Sequence, residues 1–472
     1  MTKIEIPSRP FSIAHRGASA YAPANTMAAF RKAAELGADM WEVDIRISAD
    51  GVPVVHHDAT LASGDVVCET SREALRAQIP ECPDLSEVVA LAAELGAGIY
   101  ADIKDAAAAL PTLHLLQDGA IAPVIIGAFS TDIVQMLKKA GSTYPIASLV
   151  PIGADPHIHA ADGDVIHLCW EHLPAPEETL TPELFARAFR DGKQVVLWHE
   201  EDPARMAVIR TKPVTGICSD MPELVNPFCP PSEYLFGIVC HRGANSIAPE
   251  NTLPALECAL AAGFYFIELD LHITADGEIV VIHDPMLDRT TDGKGPVTER
   301  TLADLRALDA GAWFDPFFAG TRIPTLEDVL VLLQRYGGRA YLELKSAPPA
   351  PVLERIKRTG LIDRVFFWSF NREFLVTLRR LSTSAQIMAR REDYPSLEET
   401  IADFDANIVE FRPTACALEI ASLRGSSVTS MVAYMGGDIK MFAHLIALRP
   451  DLFNLNQPFA FAREVGRGHR HG

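Results

Sequence analysis

Two carboxylates stand two residues apart in Phe266-Ile-Glu-Leu-Asp-Leu271, and Leu342-Glu-Leu-Lys345 places a further carboxylate and an ammonium at the same spacing. On a β-strand that period sends Glu268 and Asp270 to one face, and Glu343 and Lys345 likewise. Three acids gathered at one end of a sheet are costly to bury unless a cation or protons lie among them. An all-oxygen set of this kind suits a hard divalent ion, Mg²⁺ or Ca²⁺. The competing reading is a buried salt network with Arg242 and Lys345, which leaves two nearby histidines, His241 and His283, without a purpose. A pair of histidines titrating near neutral pH can divide proton removal from proton donation. Arg242 and Lys345 would supply the positive charge that a phosphate needs.

Every one of these residues has a counterpart earlier in the chain. His15-Arg16-Gly17-Ala18 recurs as His241-Arg242-Gly243-Ala244, and Pro23, Asn25 and Thr26 recur as Pro249, Asn251 and Thr252. Glu42, Asp44, Asp50-Gly51 and His57-Asp58 recur as Glu268, Asp270, Asp276-Gly277 and His283-Asp284, all at a constant offset of 226 residues. Asp102 and Lys104 answer Glu343 and Lys345 at an offset of 241, so the second copy carries 15 additional residues between these points. A constant register across so many polar residues is the mark of duplication. Three prolines between Asn226 and Ser232 suit an extended linker, which divides the chain into domains over 8–228 and 233–464.

The elements that must hold these residues are short apolar runs alternating with helical stretches. In the second copy the runs fall at 238–241, 265–271, 340–345, 365–370, 385–390, 407–412, 428–434 and 452–456. In the first they fall near 11–15, 40–45, 98–104, 124–130, 145–150, 165–170, 194–199 and 216–219. Eight strands alternating with helices in each copy predict two tandem (β/α)8 TIM barrels, with helices such as Leu253–Ala262 and Leu326–Arg335. A ninth run in each copy, 53–57 and 279–283, follows its predecessor after too short a loop for a parallel crossover. It is expected to return as a β-hairpin and bring His57 or His283 to the barrel mouth.

Composition bounds the partners. The 472 residues are 48% hydrophobic and 22% charged, the balance of a folded globular chain. A formal net charge of −20 argues against nucleic acid, whose backbone calls for a surplus of Lys and Arg. No run approaches the length of a transmembrane helix, and the start of the chain lacks the apolar stretch of a signal peptide, so a cytoplasmic location is expected. The eight cysteines show no CxxC pair and read as reduced thiols, without structural zinc. His469 and His471 in the tail read as part of a solvated terminus.

The motifs of the second copy resemble those of the glycerophosphodiester phosphodiesterase family. They are His241-Arg-Gly-Ala, Ala248-Pro-Glu-Asn-Thr252, Glu268-Leu-Asp270, Asp276-Gly277 and His283-Asp284. Thr290-Thr-Asp-Gly-Lys-Gly295, Leu308-Asp-Ala-Gly-Ala-Trp-Phe314, Ile323-Pro-Thr-Leu-Glu-Asp328, Leu342-Glu-Leu-Lys345 and Trp368-Ser-Phe370 are similar to that family too. The resemblance implies a PLC-like phosphodiesterase barrel with His241 and His283 as general base and acid and a divalent ion on Glu268, Asp270 and Glu343. It further implies attack by the substrate's own hydroxyl, departure of an alcohol and hydrolysis of the cyclic phosphate, giving sn-glycerol 3-phosphate.

The substrate is expected to be a small-molecule or lipid-derived phosphodiester. A lysophospholipid, a sphingomyelin-like lipid and a sugar phosphodiester are the alternatives, as is a non-catalytic binding role for one barrel. Phe314, Phe317 and Phe318 could cover an apolar leaving group or pack under the loop. The sequence says nothing of oligomeric state.

The copies depart from the pattern differently. The first keeps His15, His57, Arg16, Lys104, Glu42 and Asp44, but has Ala24 where the second has Glu250, and its counterpart of the segment 288–324 is shortened, losing the Trp-Phe and Thr-Thr-Asp-Gly stretches. Its third carboxylate, Asp102, is shorter in reach by one methylene, roughly 1.5 Å. The second copy is expected to place Tyr434 and Asn456 where the first has Trp198 and Asp220, and there the family pattern favours the first. The second barrel is read as the main catalyst. The first is read as a weaker or differently selective enzyme, or a degenerate scaffold.

Overall fold

The computed structural model describes residues 9–119, 121–170 and 173–468, so the His469/His471 tail lies outside the described residues. The chain divides into two compact units, Met1–Asn226 and Pro227–Gly472.

Each unit is a closed barrel. In the first, β1 (Phe11–Ala14), β2 (Met40–Ile47), β4 (Gly98–Ile103), β5 (Val124–Ala128), β6 (Ile146–Val150), β7 (Val165–Cys169), β8 (Gln194–Trp198) and β9 (Gly216–Ser219) run parallel in that order. Pairing of β1 with both β2 and β9 closes the ring. The strands are apolar nearly throughout because helices cover one face and the barrel core the other. Ile13, Met40, Tyr100, Ile125, Leu149, Val196 and Trp198 belong to the buried core cluster of this barrel.

The second unit repeats the scheme. Its strands are β10 (Gly237–Cys240), β11 (Phe266–Ile273), β13 (Arg339–Leu344), β14 (Val365–Trp368), β15 (Gln386–Arg390), β16 (Ile408–Phe411), β17 (Thr429–Tyr434) and β18 (Leu452–Leu455). The helices expected at 253–262 and 326–335 occupy Leu253–Ala261 and Leu326–Tyr336.

The ninth strand of each unit, β3 (Pro53–Val55) or β12 (Ile279–Val281), pairs antiparallel with the preceding β2 or β11. The hairpins turn at Gly51 (φ 80°) and Gly277 (φ 86°), where a side chain would be strained. His57 and His283 lie two residues past the returning strands. The segment 288–324 folds over β12 on a small core of its own, Val280, Ile282, Leu287, Val297, Leu305, Ala310 and Ile323. Phe318 is buried there and packs edge-on against Phe314 and Phe317. Among the described residues no helix is long and apolar enough to cross a membrane.

Candidate active sites at the two barrel mouths

The carboxylates meet because of strand register. Asp270 on β11 lies opposite Glu343 on β13, with Glu268 one inward-facing position earlier, and Asp44 on β2 likewise lies opposite Asp102 on β4. All six are buried. Each set, Glu268/Asp270/Glu343 and Glu42/Asp44/Asp102, offers one oxygen per residue within 4.8 Å of the others.

The salt network is present as well, but it does not balance the charge. In the second barrel Lys345 pairs with Glu343 and with Asp270 (3.3 Å), and Arg242 Nε lies 3.5 Å from Asp270. In the first, Lys104 pairs with Asp44 (2.8 Å) and Asp102 (2.5 Å), and Arg16 with Asp44 (3.1 Å). Three carboxylates against two cationic side chains leave one negative charge over. Burial, then the neighbouring carboxylates, push Glu42 and Glu268 well above the usual range. Burial and Asp270 bring Glu343 to about 7. At Asp44, burial acts upward but Lys104 and Arg16 outweigh it, and the carboxyl is held low. Oδ1 of Asp102 is buried with no hydrogen-bond partner. Both sets are therefore short of positive charge, the condition a divalent cation relieves.

The repeated motifs shape this end of each barrel. Arg16 and Arg242 have left-handed backbones (φ 56° and 58°), and their main-chain N–H groups donate to Glu42 (2.9 Å) and Glu268 (2.8 Å). Glycine must follow: a Cβ on Gly17 would meet Ala29 at 2.6 Å, and one on Gly243 would meet Ala255 at 2.8 Å. Asn25 and Asn251, also left-handed, donate through Nδ2 to Asp44 (2.7 Å) and Asp270 (2.8 Å). Sequence reasoning assigned these asparagines no role, although their place in both copies of the motif was the available signal.

The histidines are held by different partners in the two barrels. His241 follows β10, and its Nδ1 meets Asn456 Oδ1 at 2.6 Å, while Nε2 lies 3.9 Å from Glu268. Burial and Arg242 lower His241 to about 4. His283 Nδ1 meets Asp284 at 2.6 Å, Arg289 grips both oxygens of Asp284, and Arg289 also grips Glu250 (2.8 and 2.9 Å), which accepts from Arg242 (2.8 Å). A chain of alternating charge thus ties His283 to Arg242. Arg289 was missed in the sequence because it has no counterpart in the first copy and lies outside the repeated motifs.

In the first barrel Ala24 interrupts that chain. His57 Nδ1 meets Asp58 at 2.8 Å, but the Asp58 side chain is 71% exposed, against 26% for Asp284. The main-chain carbonyls of both histidines are nevertheless anchored, His57 by Arg46 Nε (2.8 Å) and His283 by His272 Nε2 (3.2 Å).

His15 is more enclosed than His241. Its Nδ1 meets Asp220 (2.7 Å), and its Nε2 accepts a hydrogen bond from the Trp198 indole (3.0 Å). Asp220 is held at about 2, since His15 and Ser19 outweigh the upward effect of burial.

Here the structure corrects one sequence pairing. Leu197 pairs with Ile217 and Val432 with Phe453, which sets Ala433, and not Tyr434, at the Trp198 position. Tyr434 takes the position of His199 and packs against Phe442 on a surrounding helix. The sequence alignment failed there because one residue separates the offsets of β8/β17 and β9/β18. Asn456 does occupy the place of Asp220. The second barrel consequently has no indole over its first histidine. His15, His199 and Asp220 form a further cluster with ligand atoms within 4.8 Å. Both ring nitrogens of its His15 are already engaged.

The model of the glycerophosphoryl diester phosphodiesterase family matches residues 15–120 and 241–400. A glycerophosphodiester phosphodiesterase of Bacillus subtilis strain 168 is 40% identical over 164 residues, 30% of this chain and 55% of that protein. One from Caldanaerobacter subterraneus is 37% identical over 156 residues, 32% of this chain and 64% of that protein. In both cases the match spans less than two thirds of the relative. A crystal structure of a glycerophosphodiester phosphodiesterase from Agrobacterium tumefaciens covers 48% of this chain and 100% of its own, at 36% identity and a TM-score of 0.46.

Proposed function

Because this chain belongs to the glycerophosphoryl diester phosphodiesterase family, we propose that its second barrel hydrolyses glycerophosphodiesters to sn-glycerol 3-phosphate and an alcohol, with a divalent cation, Mg²⁺ or Ca²⁺, held by Glu268, Asp270 and Glu343. The observation that carries the reading is the under-neutralised carboxylate set lying within 4.8 Å at one barrel mouth, beside His241 and with Arg242 and Lys345 in contact with it. When bound, the cation would polarise the phosphoryl oxygens and stabilise charge gathering on them.

The remaining steps fall to side chains. Arg242 and Lys345 bind the phosphate and orient it. His241 is neutral at physiological pH, with a pKa of about 4 and its Nδ1 engaged by Asn456, so its Nε2 can accept the proton of the attacking glycerol hydroxyl. His283, held against the carboxylate of Asp284, hands a proton to the departing alcohol oxygen, then takes one from the water that opens the cyclic phosphate while His241 returns its proton to the glycerol oxygen, giving glycerol 3-phosphate. In the first barrel Ala24 breaks the charge chain and Asp58 stands exposed beside His57, which favours a weak or non-catalytic role for that barrel.

The test is release of glycerol 3-phosphate from glycerophosphocholine and a panel of diesters, including a lysophospholipid, measured with a coupled enzyme before and after chelation. Chelation should lower turnover at least a hundredfold, and Mg²⁺ or Ca²⁺ should restore it. Turnover indifferent to chelation, or no glycerol 3-phosphate from any diester, overturns the proposal.

A further inference from the structure

The wall of the second barrel opposite its first strand carries two ionisable residues, an arginine and a glutamate, where the first barrel has a leucine and a buried histidine. Arg390 on β15 pairs in register with Glu410 on β16, and the matching pair in the first barrel is Leu149 on β6 and His167 on β7. Leu149 is packed into the apolar core with Trp198. The second barrel has Ala433 where the first has Trp198, and Trp368 where the first has Gly127. The Arg390 guanidinium carbon lies 5.4 Å from the Trp368 ring and 5.7 Å from Phe370, and Lys345 Nζ lies 5.7 Å from that same Phe370 ring. Phe370 is 73% exposed.

Arg390 is closed at present by a carboxylate that it shares. Glu392, on the short turn after β15, contacts both Arg390 and Arg412, and Asp393 stands 3.8 Å from Arg390 Nε. The Arg412 side chain is 69% exposed. An anion taking Arg390 would leave Glu392 still paired with Arg412 and would leave Asp393, whose side chain is 51% exposed, to solvent, so no buried carboxylate of that turn is stranded.

We propose that Arg390 is a specificity residue of the second barrel, binding an anionic group, a carboxylate or a second phosphate, on the alcohol half of the diester. The proposal rests on the reading of this barrel as a glycerophosphodiesterase. The distance suits the alcohol and not the scissile phosphate: β15 is two strands round the wall from β13, which Lys345 directly follows, roughly 10 Å at about 4.8 Å per strand. The guanidinium is suited to the task because its planar fork binds carboxylates and phosphates through two parallel hydrogen bonds while its face rests on an aromatic ring. On this account Trp368 and Phe370 form the platform that aims it.

Glycerophosphoinositol and glycerophosphoinositol 4-phosphate differ only by a phosphate on the alcohol. Their kcat/KM values would be compared in the full chain carrying His57→Ala, which restricts the measurement to the second barrel. The 4-phosphate should be preferred, and Arg390→Leu, which installs the first barrel's residue, should lower the ratio of the two values at least tenfold. Glu392→Gln should act in the opposite direction, lowering KM for the 4-phosphate several-fold, so the idea stays exposed even if the arginine variant folds poorly. Cleavage of both diesters at a ratio that neither substitution moves overturns the specificity role and leaves the enzymatic reading intact. Cleavage of neither while glycerophosphocholine is turned over overturns the specificity role alone, and turnover of no diester in the panel overturns both.

Discussion

The two mouths hold nearly the same chelating atoms and differ in what holds the groups around them. In the second barrel Glu250 and Arg289 join Arg242 to Asp284 and His283 in one hydrogen-bonded chain, whereas in the first Asp58 stands exposed beside His57. The first barrel, in turn, keeps an indole and a carboxylate on His15 where the second has Ala433 and Asn456. Each copy has therefore changed a different part of its support while the carboxylate set stayed in place. The difference shows that a ligand cluster and the machinery that aims a proton-transfer group vary separately, and that the cluster alone is a poor guide to which barrel turns over.

The most direct way to break the comparison is to remove one histidine at a time. His283→Ala should reduce metal-dependent release of glycerol 3-phosphate by about 10²- to 10⁴-fold, the usual contribution of a positioned acid or base. His57→Ala should leave most of it. Thermal melts of both variants would exclude unfolding as the cause. Equal losses would mean that both barrels work, and the reverse order would make the first barrel the enzyme.

A smaller effect is expected at Arg289, which touches neither the carboxylate set nor His283 and acts through Asp284 and Glu250. Arg289→Ala should lower kcat by roughly 10- to 100-fold, as the loss of an outer-shell partner commonly does. KM should change less, since Arg242 remains to bind the phosphate, and Arg289→Lys should recover part of the rate. A loss confined to KM, or an unchanged kcat, would show that the charge chain is only structural and that the contrast with Asp58 is without consequence.

Why Arg289 was invisible in the sequence, and Glu268 was not, has a physical answer. Strand period and a constant repeat offset put Glu268, Asp270 and Glu343 on one wall, because β-structure converts spacing into direction with little freedom. The hairpin return was legible from loop length alone. Arg289 reaches Asp284 and Glu250 from an irregular loop, where spacing carries no direction, and the pair it completes is 39 residues distant in the chain. The Trp198 position was misassigned for a related reason: one residue of slip in a loop rotates a strand's inward set to the other face. That slip hid the absence of an indole over His241.

The finest test of the comparison concerns His241 alone. Burial, followed by Arg242, holds this imidazole at about 4, outweighing the hydrogen bond to Asn456, which acts upward. A histidine lowered from 6.5 is neutral in the folded barrel over a range in which the unfolded chain would bind a proton. Its contribution to stability is therefore lost as pH falls from about 6.5 through 4. Asn456→Asp supplies the carboxylate that His15 has in Asp220, and a carboxylate on Nδ1 favours the imidazolium. The folded pKa should rise, the pH window should narrow, and the acid limb of kcat/KM should move upward by about one unit, equivalent to about 1.4 kcal/mol. The measurement is a pH–rate profile of the His57→Ala chain with and without Asn456→Asp, at saturating divalent cation. A limb that stays in place or moves downward would show that His241 is not the group whose deprotonation the rate follows, and the distinction drawn between Asp220 and Asn456 would have no bearing on catalysis.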